Sequence, residues 1–362
     1  MLHCVILGAG LLGRLVALRL AGDGHRISVF EAGGPDDRSS AASVAAAMLA
    51  PLAESAVAEP MVAAMGLHGL DRWPQLLQGL RQPVFFQREG TLVVWHRQDA
   101  AEAARFAAQL RHARTRVAAL LSPIALDATQ IGDLEPELAG RFQRGLLLPD
   151  EGQLDNRQLL AALRIEIEAL GVDVHWHSSS TIADRVASTL KDDPWLIDCR
   201  GLGARAEWSD LRGVRGEIIR LYAPEVALTR PVRLLHPRYP LYIAPKPDHL
   251  YVVGASEIEA DDMSPISVRT TLELLSAAYT VHTGFAEARI LETAAHCRPA
   301  LPDNQPAIRR IGQRMLQING LYRHGFLIAP ALVDVVAELI DTGESALAAA
   351  FGLGVEQEVA CA

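Results

Sequence analysis

The chain has 362 residues, half of them hydrophobic and 21% charged, enough for one large α/β unit or two ordinary domains sharing an interface. Its formal net charge of -9 and the lack of any Lys/Arg cluster argue against a nucleic-acid partner, because phosphate binding needs clustered cations to release counterions. Cys4, Cys199, Cys297 and Cys361 stand without CxxC or CxxH spacing, so no metal site and no disulfide framework is expected, and a reducing compartment fits.

The N-terminus has no basic leader and no small-residue cleavage site, and no uncharged apolar run reaches the ~18 to 20 residues of a bilayer span. A cytoplasmic protein without a membrane span is therefore expected. Cys4 to Leu7 reads as a buried strand, Gly8 to Gly13 as a turn, and Leu15, Val16, Leu18 and Leu20 as a helix face. Ile27 to Phe30 reads as the next strand and closes a βαβ unit on Glu31. A loop over 33–40 leads to an Ala-rich short helix over 41–49, stopped by Pro51. Helices are predicted over about 61–80 and 100–121, the latter with a solvated arginine face, and strand character over 85–96. Asp155-Asn156 caps a helix over 159–170, followed by strands at 172–176 and 195–199 and a second glycine turn, Arg200-Gly201-Leu202-Gly203. From Gly216 to Val253 the pattern is β, with a hairpin over 242–254 turning at Lys246-Pro247-Asp248-His249. A strand at 315–318, a turn over 319–325 and a helix over 331–339 return the chain to its first domain.

Gly8-Ala9-Gly10-Leu11-Leu12-Gly13 is a GxGxxG turn that follows a strand, opens a helix and has an acidic residue at the end of the next strand. Glycines admit a pyrophosphate close to the backbone, and the helix N-terminus offers unpaired N–H groups. Glu31 suits a ribose diol and disfavours a 2′-phosphate. NAD and FAD share this fingerprint.

The choice between them comes from Arg38-Ser39-Ser40-Ala41-Ala42-Ser43-Val44-Ala45-Ala46-Ala47-Met48-Leu49-Ala50-Pro51. This stretch resembles the second FAD contact segment of the D-amino-acid oxidase superfamily, especially its glycine oxidase branch linked to thiamine biosynthesis. His296-Cys297-Arg298-Pro299 resembles the family's Arg-Pro segment, and Gly320-Leu321-Tyr322-Arg323-His324-Gly325-Phe326-Leu327-Ile328-Ala329-Pro330 its closing flavin motif. The motifs stand in family order from about residue 3 to residue 340. The resemblance implies an α/β plus antiparallel β architecture, with a Rossmann-like FAD-binding domain and a substrate domain on a mixed or antiparallel sheet. Residues 1–80, 140–205 and 290–345 are then expected in the FAD domain, 81–139 and 206–289 in the substrate domain, and 346–362 as a C-terminal tail.

The implied activity is oxidation of the C–N bond of a small amino acid or secondary amine. Hydride passes to flavin N5, the imine hydrolyses, and oxygen is reduced to peroxide. A dehydrogenase using a quinone or protein acceptor, and a flavoprotein acting in regulation or binding, remain alternatives. FAD is expected at Gly8, Gly10, Leu11, Leu12, Gly13, Glu31, Ser39, Ser40, Ala47, Met48, Gly201, Gly203, His324, Gly325, Phe326 and Leu327. Arg298 matches the family's carboxylate-binding arginine, Tyr242 the tyrosine that assists it, and Arg323 either a flavin or substrate contact or a salt-bridge residue. Glu257 stands where the family allows an apolar pocket residue, facing either pocket or solvent, and Pro240 stands where some relatives have histidine. Both departures bear on the preference for glycine. Cys297 is expected to be a buried, inert thiol, with a covalent flavin link of the kind found in sarcosine-oxidase relatives as the alternative, and His296 structural. No oligomeric state is specified by the pattern.

Overall fold

The computed structural model describes residues 1–178, 194–237 and 241–358. His3–Leu7 is buried at every position, as a strand covered on both faces must be. It lies between Trp195–Asp198 and Arg26–Phe30 and runs parallel to both. These form the middle of a seven-stranded sheet that continues through Met315–Asn319, Ala307–Ile311 and Val355–Glu358 on one side and Asp173–His175 on the other. Helices Leu11–Gly22, Pro60–Gln78, Asn156–Ala169 and Gly325–Thr342 pack together beside it. Leu15, Val16, Met65, Trp73, Leu163, Leu332 and Val336 share its largest apolar core.

The second sheet has eight strands in the order Arg289–Ala300, Arg212–Tyr222, Leu250–Gly254, Leu241–Lys246, Val232–Leu235, Thr91–Trp95, Arg144–Leu148 and Ile124–Asp127. Every pairing is antiparallel except Val232–Leu235 with Thr91–Trp95. Helix Val268–Val281 buries Leu274, Ala277, Ala278 and Val281 against this sheet, and helix Ala100–Arg116 buries Leu110 and Ala113 in a separate cluster. A small third sheet joins Met48–Leu49, Gly152–Leu154 and Phe86–Gln87.

Several expectations are corrected. The helix expected over 41–49 is helical only at Ala41–Val44. Ala47 takes φ +54, and the carbonyls of Ala46 and Ala47 turn outward to Lys246 Nζ (3.0 Å) and the Leu154 N–H (3.1 Å). Residues 85–96 give two strands in different sheets, parted at Glu89-Gly90. The last helix begins at Gly325, ahead of Pro330. Proline withholds the N–H that would meet the Phe326 carbonyl, and the Trp73 indole N–H fills that place at 2.9 Å.

The domain boundaries move at three points. Arg144–Leu148 pairs with Thr91–Trp95 and Arg289–Ala300 with Arg212–Tyr222, so both belong to the second sheet rather than the nucleotide domain. Residues 346–358 are not a bare tail, since they supply helix Ala346–Phe351 and the edge strand Val355–Glu358 of the first sheet. Pro240 and Cys361 lie outside the described residues.

Candidate active site

Gly8 ends the first strand with φ +91, and a Cβ there would press on the Arg200 Cα and the Cys199 carbonyl, each at 3.0 Å. The turn therefore sits hard against the end of the neighbouring strand, with helix Leu11–Gly22 opening directly behind it. No side chain caps this helix, which leaves its first N–H groups for an anion. Glu31 accepts the Ala9 N–H at 2.6 Å and the Gly33 N–H at 2.9 Å. Its carboxylate is thereby fixed at the end of Arg26–Phe30, beside the turn.

From this point a cavity of about 1070 Å³ runs toward the second sheet, at the upper end of small-molecule pockets. Gly8, Gly10, Leu11, Glu31, Ser39, Ser40, Ala47, Met48, Gly201, Gly203, His324, Gly325, Phe326 and Leu327 all line it. Leu12 and Gly13 do not. Leu12 is buried in the core, and Gly13 lies against the Gly8 carbonyl, where a Cβ would overlap it. The Ser40 hydroxyl accepts the Ser43 N–H and starts the short helix. The walls there are Ala41, Ala42, Ala45, Ala46 and Ala47, a small-residue seat with room for a flat ring system. Glycine turn, fixed carboxylate and alanine seat together fit FAD.

At the far end, Arg298 stands on the edge strand and Tyr242 two strands beyond Arg212–Tyr222. Both meet in the same cavity because intervening strands carry glycines. A Cβ on Gly216 would collide with the Arg298 guanidinium, and one on Gly254 would lie 2.9 Å from the Tyr242 hydroxyl. Arg298 thus crosses Arg212–Tyr222 and Tyr242 lies over Leu250–Gly254. Among the described residues the Arg298 guanidinium donates to main-chain carbonyls, of Arg215 at 3.2 Å and Ser256 at 3.1 Å. Burial pushes the Tyr242 pKa up, against the opposing pull of nearby Arg298, so its hydroxyl stays a donor at neutral pH.

Arg323 lines the cavity and makes two ion pairs there. Its Nε meets Glu54 at 2.8 Å and its Nη1 meets Glu257 at 2.6 Å. Glu257 faces the cavity, with its side chain about half exposed at 47%. Burial would raise the Glu54 carboxyl, but Arg323, His324 and Arg233 hold it well below the usual range. Arg233 approaches at 2.9 Å and His324 Nδ1 at 3.4 Å. Tyr322 is also buried here, and burial with Glu257 alongside pushes its pKa up to about 12. Cys297 is fully buried, as expected of an inert thiol. His296 touches the cavity and bonds the Ser39 carbonyl at 2.6 Å.

Glu54, Arg233, Tyr322, Gly216 and Gly254 are site residues the sequence reading did not single out. Gly216 and Gly254 did carry a signal, since glycine inside a strand often marks close approach by another group. Among the described residues no cluster of metal-ligating type occurs, and no helix is long and apolar enough to cross a membrane.

Comparison with known proteins bears on the fold and the cofactor. A Rhizobium etli protein that carries the name thiamine biosynthesis oxidoreductase ThiO is 41% identical, covering 94% of this chain and 97% of its own. The crystal structure of glycine oxidase from Geobacillus kaustophilus superposes with a TM-score of 0.79 at 23% identity, covering 98% of this chain and 99% of that one. Iminodiacetate oxidase from Chelativorans sp. BNC1 also gives 0.79, at 21% identity over 99% and 100% of the two chains. At these identities the structures speak to the fold. The FAD dependent oxidoreductase (DAO) family model matches residues 3–339, and the chain belongs to that family, with FAD as its cofactor.

Proposed function

We propose that the protein oxidises the C–N bond of a small amino acid or secondary amine, in the manner of a glycine oxidase. The observation that carries this reading is the convergence of Arg298 and Tyr242 in one cavity with the dinucleotide cradle. The Arg298 guanidinium fork suits a carboxylate held through two N–H groups. The Tyr242 hydroxyl donates a further bond and fixes the rotation of the bound carboxylate. Met48, Ala46 and Ile218 wall the same space, keep water from the reacting carbon and leave the substrate little freedom to turn. FAD supplies the two-electron acceptor. Gly8, Gly10, Leu11, Glu31, Ser39, Ser40, Ala47, Met48, Gly201, Gly203 and the His324–Leu327 turn, all lining the cavity, would hold it. No residue need act as base when the amine binds neutral.

Relatives named glycine oxidase and thiamine biosynthesis oxidoreductase support a glycine-like substrate, with oxygen as acceptor. The cytoplasm remains the proposed location, supported by free thiols at Cys4, Cys199 and Cys297. The test is anaerobic mixing of the yellow protein with a panel of amino acids and N-methyl amino acids, followed by air. Bleaching, then colour recovery with peroxide, is expected. Bleaching without recovery would move the protein to another electron acceptor, and no bleaching by any amine would contradict the reading.

A further inference from the structure

The cavity lining around Arg298 includes Arg233 and Arg323 with the carboxylates Glu54 and Glu257, alongside Arg269, Glu273 and the Arg205–Asp261 ion pair. Glu54 is mostly buried and shared, meeting Arg323 at 2.8 Å and Arg233 at 2.9 Å. Glu257 is of a different kind. It projects from the loop after Leu250–Gly254 into the cavity, keeps nearly half its side chain exposed, and takes the Nη1 corner of Arg323 at 2.6 Å. Arg298 pairs with no carboxylate among the described residues and bonds main-chain carbonyls instead. Glu54 and Glu257 thus match Arg233 and Arg323, while Arg298 keeps a guanidinium without a carboxylate partner among the described residues, open to a ligand.

We propose that Glu257 is a specificity determinant: it occupies, from the protein side, the seat beside Arg323 that a second substrate carboxylate would take. The pocket then accepts amines bearing one carboxylate and rejects those bearing two. A dicarboxylic amine with one end on Arg298 would bring its other end against the Glu257 carboxylate, a like-charge contact in a partly desolvated space. Removing that charge leaves Arg323 still anchored by Glu54, with Nη1 open to the ligand. The proposal rests on Arg298 as the carboxylate clamp.

The experiment titrates oxidised, FAD-loaded protein with glycolate and with diglycolate, unreactive one- and two-carboxylate probes, following the flavin absorbance. Wild type, Glu257→Gln and Glu257→Ala are compared, the alanine variant covering the case in which glutamine still fills the seat. Wild type should respond to glycolate and far less to diglycolate. In at least one variant the affinity for diglycolate relative to glycolate should rise at least about tenfold, as expected when a charged hydrogen-bond partner becomes available. Glycolate binding with an unchanged ratio in both variants would overturn the role of Glu257 alone, as would equal binding of both probes by wild type. Failure of wild type to bind either probe would overturn the Arg298 clamp and this proposal with it.

Discussion

Glu54 illustrates how one carboxylate can hold a site together. Arg323 and Arg233 meet it at 2.8 and 2.9 Å, and its side chain is only 15% exposed. Glu54→Gln would leave two partly buried guanidinium groups without their shared anion, and a loss of about 3–5 kcal/mol is expected. Thermal unfolding of the apoprotein measures it. Because the folded pKa lies well below the ordinary value of 4.5, the wild-type advantage should be complete above that pH and shrink as the pH falls below it. An advantage independent of pH would contradict the charge argument. Glu31→Ala removes the carboxylate that fixes Ala9 and Gly33 and that is proposed to bind the FAD ribose. It should weaken FAD retention on gel filtration, and a fully loaded variant would remove Glu31 from the cofactor site.

The local motifs around Arg298 and Tyr242 resemble a known family, which singles the two residues out, and the structure brings both to one cavity. Gly216 and Gly254 could not be assigned, because clearing a path for a neighbour's side chain depends on register between strands. Glu54 was equally hidden. It ends a four-residue helix with no motif, and its partners lie 179 and 269 residues away in sequence.

That helix, Pro51–Glu54, is itself held by a buried group. No side chain of its own caps it, and the Ala53 N–H instead meets Glu151 at 2.7 Å. Burial raises the Glu151 carboxyl to about 7 from 4.5, with Arg233 only partly opposing. A raised folded pKa means that the native state binds more protons than the unfolded chain between pH 4.5 and 7. The stability that Glu151 contributes is therefore present below that window and lost as the pH rises through it. Glu151→Gln keeps a cap-like acceptor without the ionisation. It should gain on wild type across the window by on the order of 1–3 kcal/mol, read from denaturant midpoints at pH 5 and pH 7.5. A constant difference would show that Glu151 does not titrate there.

Lys246 performs a related task for the alanine seat. It is buried and donates to the Ala46 carbonyl at 3.0 Å, Gln153 Oε1 at 3.0 Å and the Leu154 carbonyl at 2.7 Å. These bonds hold the chain extended where alanine content alone suggested helix. Helix Val268–Val281 and strand Arg289–Ala300 were not anticipated, but the βαβ unit and the 242–254 hairpin followed the sequence, because local periodicity and turn residues specify them. The 41–49 segment and the start of the last helix did not, because their main-chain bonds are decided by Lys246, Leu154 and Trp73, all distant in sequence.

At the scale of the molecule, the seven-stranded, mostly parallel sheet supplies the dinucleotide end and the eight-stranded sheet the substrate end of one cavity. The order of motifs along the chain conveyed this two-part plan. The boundaries were less legible, since Arg144–Leu148 and Arg289–Ala300 join the second sheet through pairings that no local pattern marks. The central claim is that a substrate carboxylate is seated on Arg298 beside FAD. Its most direct test is anaerobic flavin reduction by the most reactive amino acid of the panel, in wild type and Arg298→Ala at equal FAD content. Removing one partner of a desolvated charge pair should raise the half-saturating concentration roughly hundredfold, with the visible spectrum of bound flavin retained. Reduction at the wild-type half-saturating concentration would contradict the assignment.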